Sequence, residues 1–422
     1  AYALSTDMTN PLYLTLFCEN YTGEMVDIGK LFDTVIGNVD EEVRTGIGKE
    51  DAAPFLQSFI DEFLDLRLQK GYLSINMDHL LAMNFWHKYG LEGDKTRIIA
   101  MLVRANLLST QLWHDEELYS FTYQKMDDML CAKHLLKKLA QKAAIIGYIV
   151  SDLLEIENGA INNNSNIDIV VEMCSLFALR NGEEIFDEVV GYLSDSYDRA
   201  SLAELYFRAF SQRTSENLSQ EYVLTFLKTY TPNPNVVFEV FIENSIKENH
   251  PLNAATLHKL LLKWPIAHRD YMWTSFINNR ASEEDRLYQL LEYFEKGNTF
   301  ASISRKSAEL FLTLVVWLFT ASNRHLRDKA TKVAVELLRR QFSLCKVLLG
   351  KFASVDDPYV IERLYCSIYG ACLKRPETDM ETYTDLVQYI YDDFFLSELI
   401  HAVHVGFFET TLRNSILPYL LT

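Results

Sequence analysis

NRHLRDKATKVAVELL, residues 323–338, sets the reading of the chain. Ala330, Val333, Ala334, Leu337 and Leu338 recur with the helical period and form one packing face, while Arg324, Arg327, Lys329 and Lys332 project away from it. The small alanines let a neighbouring helix come close. The cations can bridge to acids on an adjoining turn. A helix of this kind needs another helix on its apolar side, so the stretch predicts a stack and not an isolated element.

Working outward, similar segments repeat from 168–180 through 200–211, 253–263, 305–320 and 358–374 to 396–420, separated by Gly, Asn, Asp or Pro. Two such helices with their turns come to ~30–45 residues, the period of helical-hairpin repeats. Arg327 in the first turn, then small Ala, then aliphatics is similar to the second helix of a HEAT repeat. The expectation is therefore an all-α fold, an α-solenoid of HEAT/TPR-like helical hairpins over 167–422. Composition agrees: only 16 Gly and 9 Pro occur in 422 residues, too few for a turn-rich β or α/β protein.

Residues 41–142 are organised differently. Asn76–Trp86 and Lys95–Leu108 each read as a helix. QLWHDEELYSFTY (111–123) alternates around His114-Asp115-Glu116-Glu117 as a β-hairpin does, and Gln124–Leu139 reads as a closing helix. Helix, helix, hairpin, helix is a winged-helix order, and this hairpin is the one β signal expected in the chain. Upstream, 1–40 reads as a helical segment, with Asn10 as an N-cap and Pro11 at the first helical position. Residues 51–70 form an amphipathic helix through Phe55, Phe59, Phe63 and Leu66. Residues 143–166, a short helix and then GAINNNSN, read as a linker.

Charge and chemistry narrow the function. Lys+Arg 40 against Asp+Glu 58 leaves a net −18, a field that repels polyanions and makes nucleic acid an unfavoured partner. The six cysteines form no CxxC pair, which suits buried thiols in a reducing cytoplasm. No apolar run is long enough to span a membrane. GEMVDIGKL (23–31) fails as a P-loop because five residues separate Gly23 from Gly29 and Leu31 replaces the Mg²⁺-binding hydroxyl. His79, His87, His134 and His258 sit among apolar helical positions and read as structural imidazoles. Asp127 and Asp128 are adjacent on a helix, ~100° apart, and so are not a catalytic dyad. No catalytic residue and no metal site is expected. Residues 324–351 hold eight bases and two acids, a local patch that either stabilises the stack and is solvated or meets an acidic protein partner through Arg324, Arg327, Arg339 and Arg340.

The order NPLYLTLFCE (10–19), a winged helix and FTYQKMDDMLCA (121–132), followed by HPLNAATLHKLL (250–261), MWTSF (272–276) and SNRHLRDKATK (322–332), resembles the STAND NTPases of the NACHT class, in particular the bacterial antiviral (Avs) type. The resemblance covers nearly the whole chain. It implies helical repeats that sense a phage protein such as a terminase or portal, relaying that event to ATP-dependent homo-oligomerisation and a separate effector. ATP or ADP and Mg²⁺ would then belong to the intact protein, with the P-loop core upstream of a chain that starts at Ala1. Pro11 matches the proline that packs on the adenine. Tyr123 stands where many relatives carry a phosphate-contacting His, and Asp128 where they carry an acid. A phenol does not titrate near neutral pH as His does, so this is a departure from the pattern. The competing reading is a stand-alone HEAT-like adaptor without a nucleotide switch.

Overall fold

The scarcity of turn-forming residues is realised as helix. The computed structural model describes residues 11–20, 28–70, 74–280, 282, 285–295, 303–374 and 380–395; the capping Asn10 and the helix expected at 396–420 lie outside them. The chain divides into two compact units, whose described parts are residues 11–218 with 224–232 and residues 219–223 with 233–395. The division falls at 219–232.

The first unit opens with α1 (Pro11–Asn20), α2 (Ile28–Gly46) and α3 (Leu56–Lys70). α2 runs through the boundary expected at 40. It also starts α3: the Asp40 carboxylate accepts the Phe55 and Leu56 backbone N–H groups at 2.9 and 2.7 Å, satisfying two of the donors that a helix N-terminus leaves open. Then come β1 (Ile75–Asn76), α4 (Met77–Leu81), α5 (Phe85–Lys88), α6 (Lys95–Arg104), β2 (Leu108–Trp113), β3 (Glu116–Phe121) and α7 (Gln124–Leu139). The strands form one antiparallel sheet in the order β1-β3-β2. Asn76–Trp86 is thus not one helix. Asn76 instead caps α4 by accepting the His79 N–H, and Glu62 caps α5 by accepting the Asn84 and Phe85 N–H groups. Phe55, Phe59, Phe63, Phe85, Trp86 and Phe121 pack edge-on around the sheet and α3.

Beyond α7 the unit continues with α8 (Lys142–Tyr148), which runs into a wider π turn at Ile149–Leu153, and then the hairpin of β4 (Ile156–Glu157) and β5 (Ala160–Ile161). The linker reading of 143–166 is corrected here, as is the expectation of a single hairpin. Asn158-Gly159, both at positive φ, is the residue pair that a tight hairpin turn requires. Gly159 is obligatory for a second reason: its carbonyl accepts the Ser194 and Asp195 N–H groups, and a Cβ would lie 2.0 Å from Ser194 Oγ. α9 (Ile167–Asn181), α10 (Phe186–Val190) and α11 (Ser196–Ala209) follow, and α12 (Gln220–Tyr230) straddles the division, with its residues up to 223 assigned to the second unit. α9 packs on α7 and on α11.

The second unit contains α13 (Pro234–Asn244), α14 (Ala254–Lys263), α15 (Ile266–Arg269), α16 (Ser275–Asn278), α17 (Arg286–Glu295), α18 (Arg305–Trp317), α19 (Arg324–Arg340), α20 (Leu344–Phe352), α21 (Pro358–Leu373) and α22 (Met380–Tyr389). A π turn at Asp270–Thr274 joins α15 to α16. α14 packs on α18, and α19 on α17, α18 and α21. Near neighbours in sequence are thus neighbours in space, the contact pattern of stacked helical hairpins. The described chain is predominantly helical and solenoid-like in this sense. No helix among the described residues is long and apolar enough to cross a membrane.

Candidate functional site

α7 is where the first unit concentrates its buried charge. Its sequence alternates apolar and ionisable residues too densely for a single polar face, so Asp127, Asp128 and His134 are buried with Met126, Leu130 and Leu135. Asp127 is paired by Arg67 of α3. One guanidinium nitrogen reaches both carboxylate oxygens at 2.6 and 2.7 Å, and the other lies 2.7 Å from Cys131 Sγ. Burial opposes the charge on Arg67, but its paired Asp127 and the rest of the cluster outweigh it and raise the guanidinium's pKa; burial pushes the Cys131 thiol well up, so it stays neutral. Arg67 occupies the inward position at which Leu66 was expected, because Leu66 is only half-buried and the pocket offers a carboxylate.

Asp128 points elsewhere. It accepts from Gln124 at 2.9 Å, and burial, joined by the charges of Asp127 and Asp168, raises its pKa to about 7. The two aspartates therefore do not share a site, although the charge of Asp127 is among the causes that raise Asp128. Lys125 reaches across to Glu172 of α9 at 2.5 Å. Toward α3, His134 lies 2.9 Å from Asp65, Lys137 pairs with Asp61 at 2.8 Å and Lys138 with Asp65 at 2.7 Å. Burial opposes ionisation of Asp61 and Asp65, yet the hydrogen bonds from the lysines and their other partners prevail and hold both below the usual carboxylate range. α7 is thus bonded to α3 on one side and to α9 on the other. A cleft of about 390 Å³ opens where α7 and α9 end, lined by Leu136, Ile145, Phe177, Lys142, Arg180 and Glu183, among others.

α19, in the second unit, carries the basic candidates. All eight cations of 324–351 are engaged. Arg324 pairs with Asp328; Lys329 and Lys332 share Glu295; Arg339 and Arg340 share Glu336; Lys346 pairs with Asp385 and Lys351 with Glu309. Arg327 does not project into solvent. It donates to the Ala321 carbonyl at 2.9 Å and lies over the Tyr359 ring at 5.1 Å, so it ties α19 to the preceding turn and to α21. Arg324, at 83% side-chain exposure, stays fully presented, whereas Arg339 and Arg340 keep about a third of their surface.

The second unit also has a buried node. Trp317 Nε1 donates to His258 Nδ1 at 3.0 Å, which leaves Nε2 as the protonated nitrogen, donating to the Lys351 carbonyl at 3.1 Å. Burial, with Lys351 nearby, lowers the His258 pKa to about 4. Fully buried Arg269 covers the Trp317 ring at 5.3 Å and bonds Asp356 at 2.7 Å. His258 and His134 are indeed set into the structure; His87 is not, standing 86% exposed beside Glu92.

Of the nucleotide candidates, Pro11 opens α1 and is exposed. Tyr123 sits at the N-cap of α7, where its carbonyl accepts the Asp127 N–H at 2.9 Å and its side chain is buried. Among the described residues no group of three or more His, Cys, Asp or Glu is placed to hold a metal ion. The Arg67–Asp127–Cys131 cluster was not foreseen; its only sequence trace is an arginine on the apolar stripe of α3. No protein-family model matches the chain, and neither a curated protein nor a solved structure is detectably similar to it.

Proposed function

We propose that this chain is a recognition and relay module: a helical-hairpin array of HEAT/TPR-like type that binds a protein partner, joined to a winged-helix segment that passes the event on. The observation that carries the reading is the double attachment of α7. It closes the segment built from α3, the small sheet and α6, and it packs along α9 with the Lys125–Glu172 pair between them. A helix bonded on both sides moves with either neighbour, so a partner that favours one placement of α9 also biases α7. The order α3, β1, α4–α5, α6, β2, β3 and the β1-β3-β2 sheet support the winged-helix assignment.

On the resemblance to antiviral STAND NTPases, the partner is a phage protein such as a terminase or portal, and the output is ATP-dependent homo-oligomerisation of the intact cytoplasmic protein. The nucleotide would supply binding energy that differs between two states. Of the two candidates, exposed Pro11 suits contact with an adenine, whereas the Tyr123 side chain is buried within the fold. The contacts of Arg327 favour a stabilising role for it and, of the four candidate arginines, leave Arg324, Arg339 and Arg340 for an acidic partner to reach, with Lys332 exposed beside them.

The test uses the intact protein, individual purified phage structural proteins and ATP hydrolysis as readout. A target that binds and stimulates hydrolysis supports the reading. Lys125→Glu should keep target binding and lose stimulation, and Lys125→Glu with Glu172→Lys should regain it. Stimulation that survives Lys125→Glu unchanged rejects the relay. Binding with no nucleotide dependence at all returns the chain to the adaptor reading.

A further inference from the structure

The hairpin of β2 and β3 ends the sheet with an edge that is unusually bare. Its turn is His114-Asp115, with φ of 47° and 67°, the two-residue form that continues the twist of the strands. In such a hairpin the flanking pair, Trp113 and Glu116, exchanges backbone bonds and the pattern then alternates. Gln111 and Ser109 therefore bond to β3, while the N–H and C=O groups of Leu112 and Thr110 face outward. In the order β1-β3-β2 no other strand of the described chain pairs with them.

Proteins commonly protect such an edge with Lys, Pro, a bulge or a covering helix. β2 reads LSTQLW and has no charged residue and no proline. Leu112 and Trp113 are 71% and 59% exposed, apolar surface held on a strand end where nothing described covers it. Beside them stand Asp115, Glu116 and Glu117, and residues 108–123 contain no Lys or Arg. The only described polar contact of these three carboxylates is the Tyr119 hydroxyl on Glu117.

We propose that β2 is a docking edge for an extended peptide segment of a protein partner, added as a fourth strand, apolar at alternate positions and carrying Lys or Arg beside the turn. Outward backbone groups of Thr110 and Leu112 supply the ladder, Leu112 supplies the apolar contact on one face of the sheet with Trp113 on the other, and the three acids select the basic end. A second copy of the chain fits less well, since its own hairpin brings three more acids and no cation. The inference does not depend on the relay reading, because it rests on the hairpin alone.

Residues 1–422 are titrated into the labelled peptide Lys-Lys-Val-Thr-Val-Thr-Val-Thr, into its Glu-Glu counterpart and into a form N-methylated at alternate residues, with fluorescence anisotropy as readout. The lysine peptide should bind at least roughly tenfold more tightly than the glutamate peptide, with the preference falling as salt rises. N-methylation, Thr110→Pro and Leu112→Lys should each abolish binding, and hydrogen exchange at the Thr110 and Leu112 amides should slow in the complex. Leu112→Lys changes an exposed side chain, so a wild-type melting profile is expected and the test survives if Thr110→Pro misfolds. Equal affinity for both charged peptides, binding that persists in Leu112→Lys, or unprotected amides would overturn the proposal. So would a dimer seen by sedimentation that is lost in Leu112→Lys while no peptide binds.

Discussion

α7 and α19 are nearly equal in length, 16 and 17 residues, and treat charge in opposite ways. α19 buries only Leu326, Ala330, Val333, Ala334, Leu337 and Leu338, and sends its cations sideways, Arg327 to a carbonyl and a ring and the others to acids on its own or adjoining helices. α7 turns Asp127, Asp128 and His134 inward; α3 brings the partners of Asp127 and His134, while Asp128 accepts from Gln124 of its own helix. A helix of the first kind is specified by its own periodicity and can be stacked with little regard to the neighbour's identity. A helix of the second kind accepts only neighbours that bring the matching charge. Exposed pairs contribute little each, whereas a buried pair is costly to break from one side because the survivor is left desolvated.

Removing Arg67 tests this most severely. Arg67→Met should destabilise the first unit by about 3–5 kcal/mol in urea or thermal unfolding, and Arg67→Met with Asp127→Leu should recover most of that loss. A single variant as stable as the parent would erase the distinction between the helices. Next in size, His258→Ala opens the second unit's node, at about 2–3 kcal/mol, by orphaning Trp317 Nε1 and the Lys351 carbonyl. Its pH signature is distinct. With a folded pKa lowered to about 4, the unfolded chain takes the proton first, so the contribution of His258 is complete above its ordinary value of ~6.5 and is lost as pH falls toward 4. His258→Gln should flatten that part of the stability profile.

Asp128 has the opposite sign. Its folded pKa of about 7 lies above the unfolded value, so the fold loses stability as pH rises from ~4 to 7. Asp128→Asn should match the parent near pH 4 and exceed it by roughly 1–2 kcal/mol at pH 8, measured by thermal unfolding across pH. The smallest effect belongs to α19. Arg339→Glu with Arg340→Glu should shift stability by no more than about 1 kcal/mol while weakening capture of an acidic partner. Unchanged capture assigns both arginines to Glu336 alone.

The two helices also mark how far sequence reading reaches. The face of α19 was legible because every residue that defines it lies within the helix. The limits of α7 were legible too, from the hairpin before it and the apolar run within it. What went unread were the features that depend on a second segment. Asn76–Trp86 looks like one helix until Glu62 is placed to cap a new start at Asn84 and Phe85. The linker reading of 143–166 hid a hairpin, although Asn158-Gly159 is a strong local turn signal. The exposure of Leu112 and Trp113 could not be read from alternation, which puts them on opposite faces but does not tell whether either face is covered.

Local periodicity and the shortage of glycine and proline were enough to determine a helical chain, its approximate helix limits in 167–374 and a hairpin within 111–123, since these follow from propensities and contacts a few residues apart. The first strand of that hairpin in the structure starts earlier, at Leu108, where a helix end was read. Tertiary structure alone decided that Arg67 meets Asp127, 60 positions on, and that His258 meets Lys351, 93 positions on. The cost of burying a charge or an imidazole is set by whatever partner the fold brings to it, and no pattern within either segment encodes that partner.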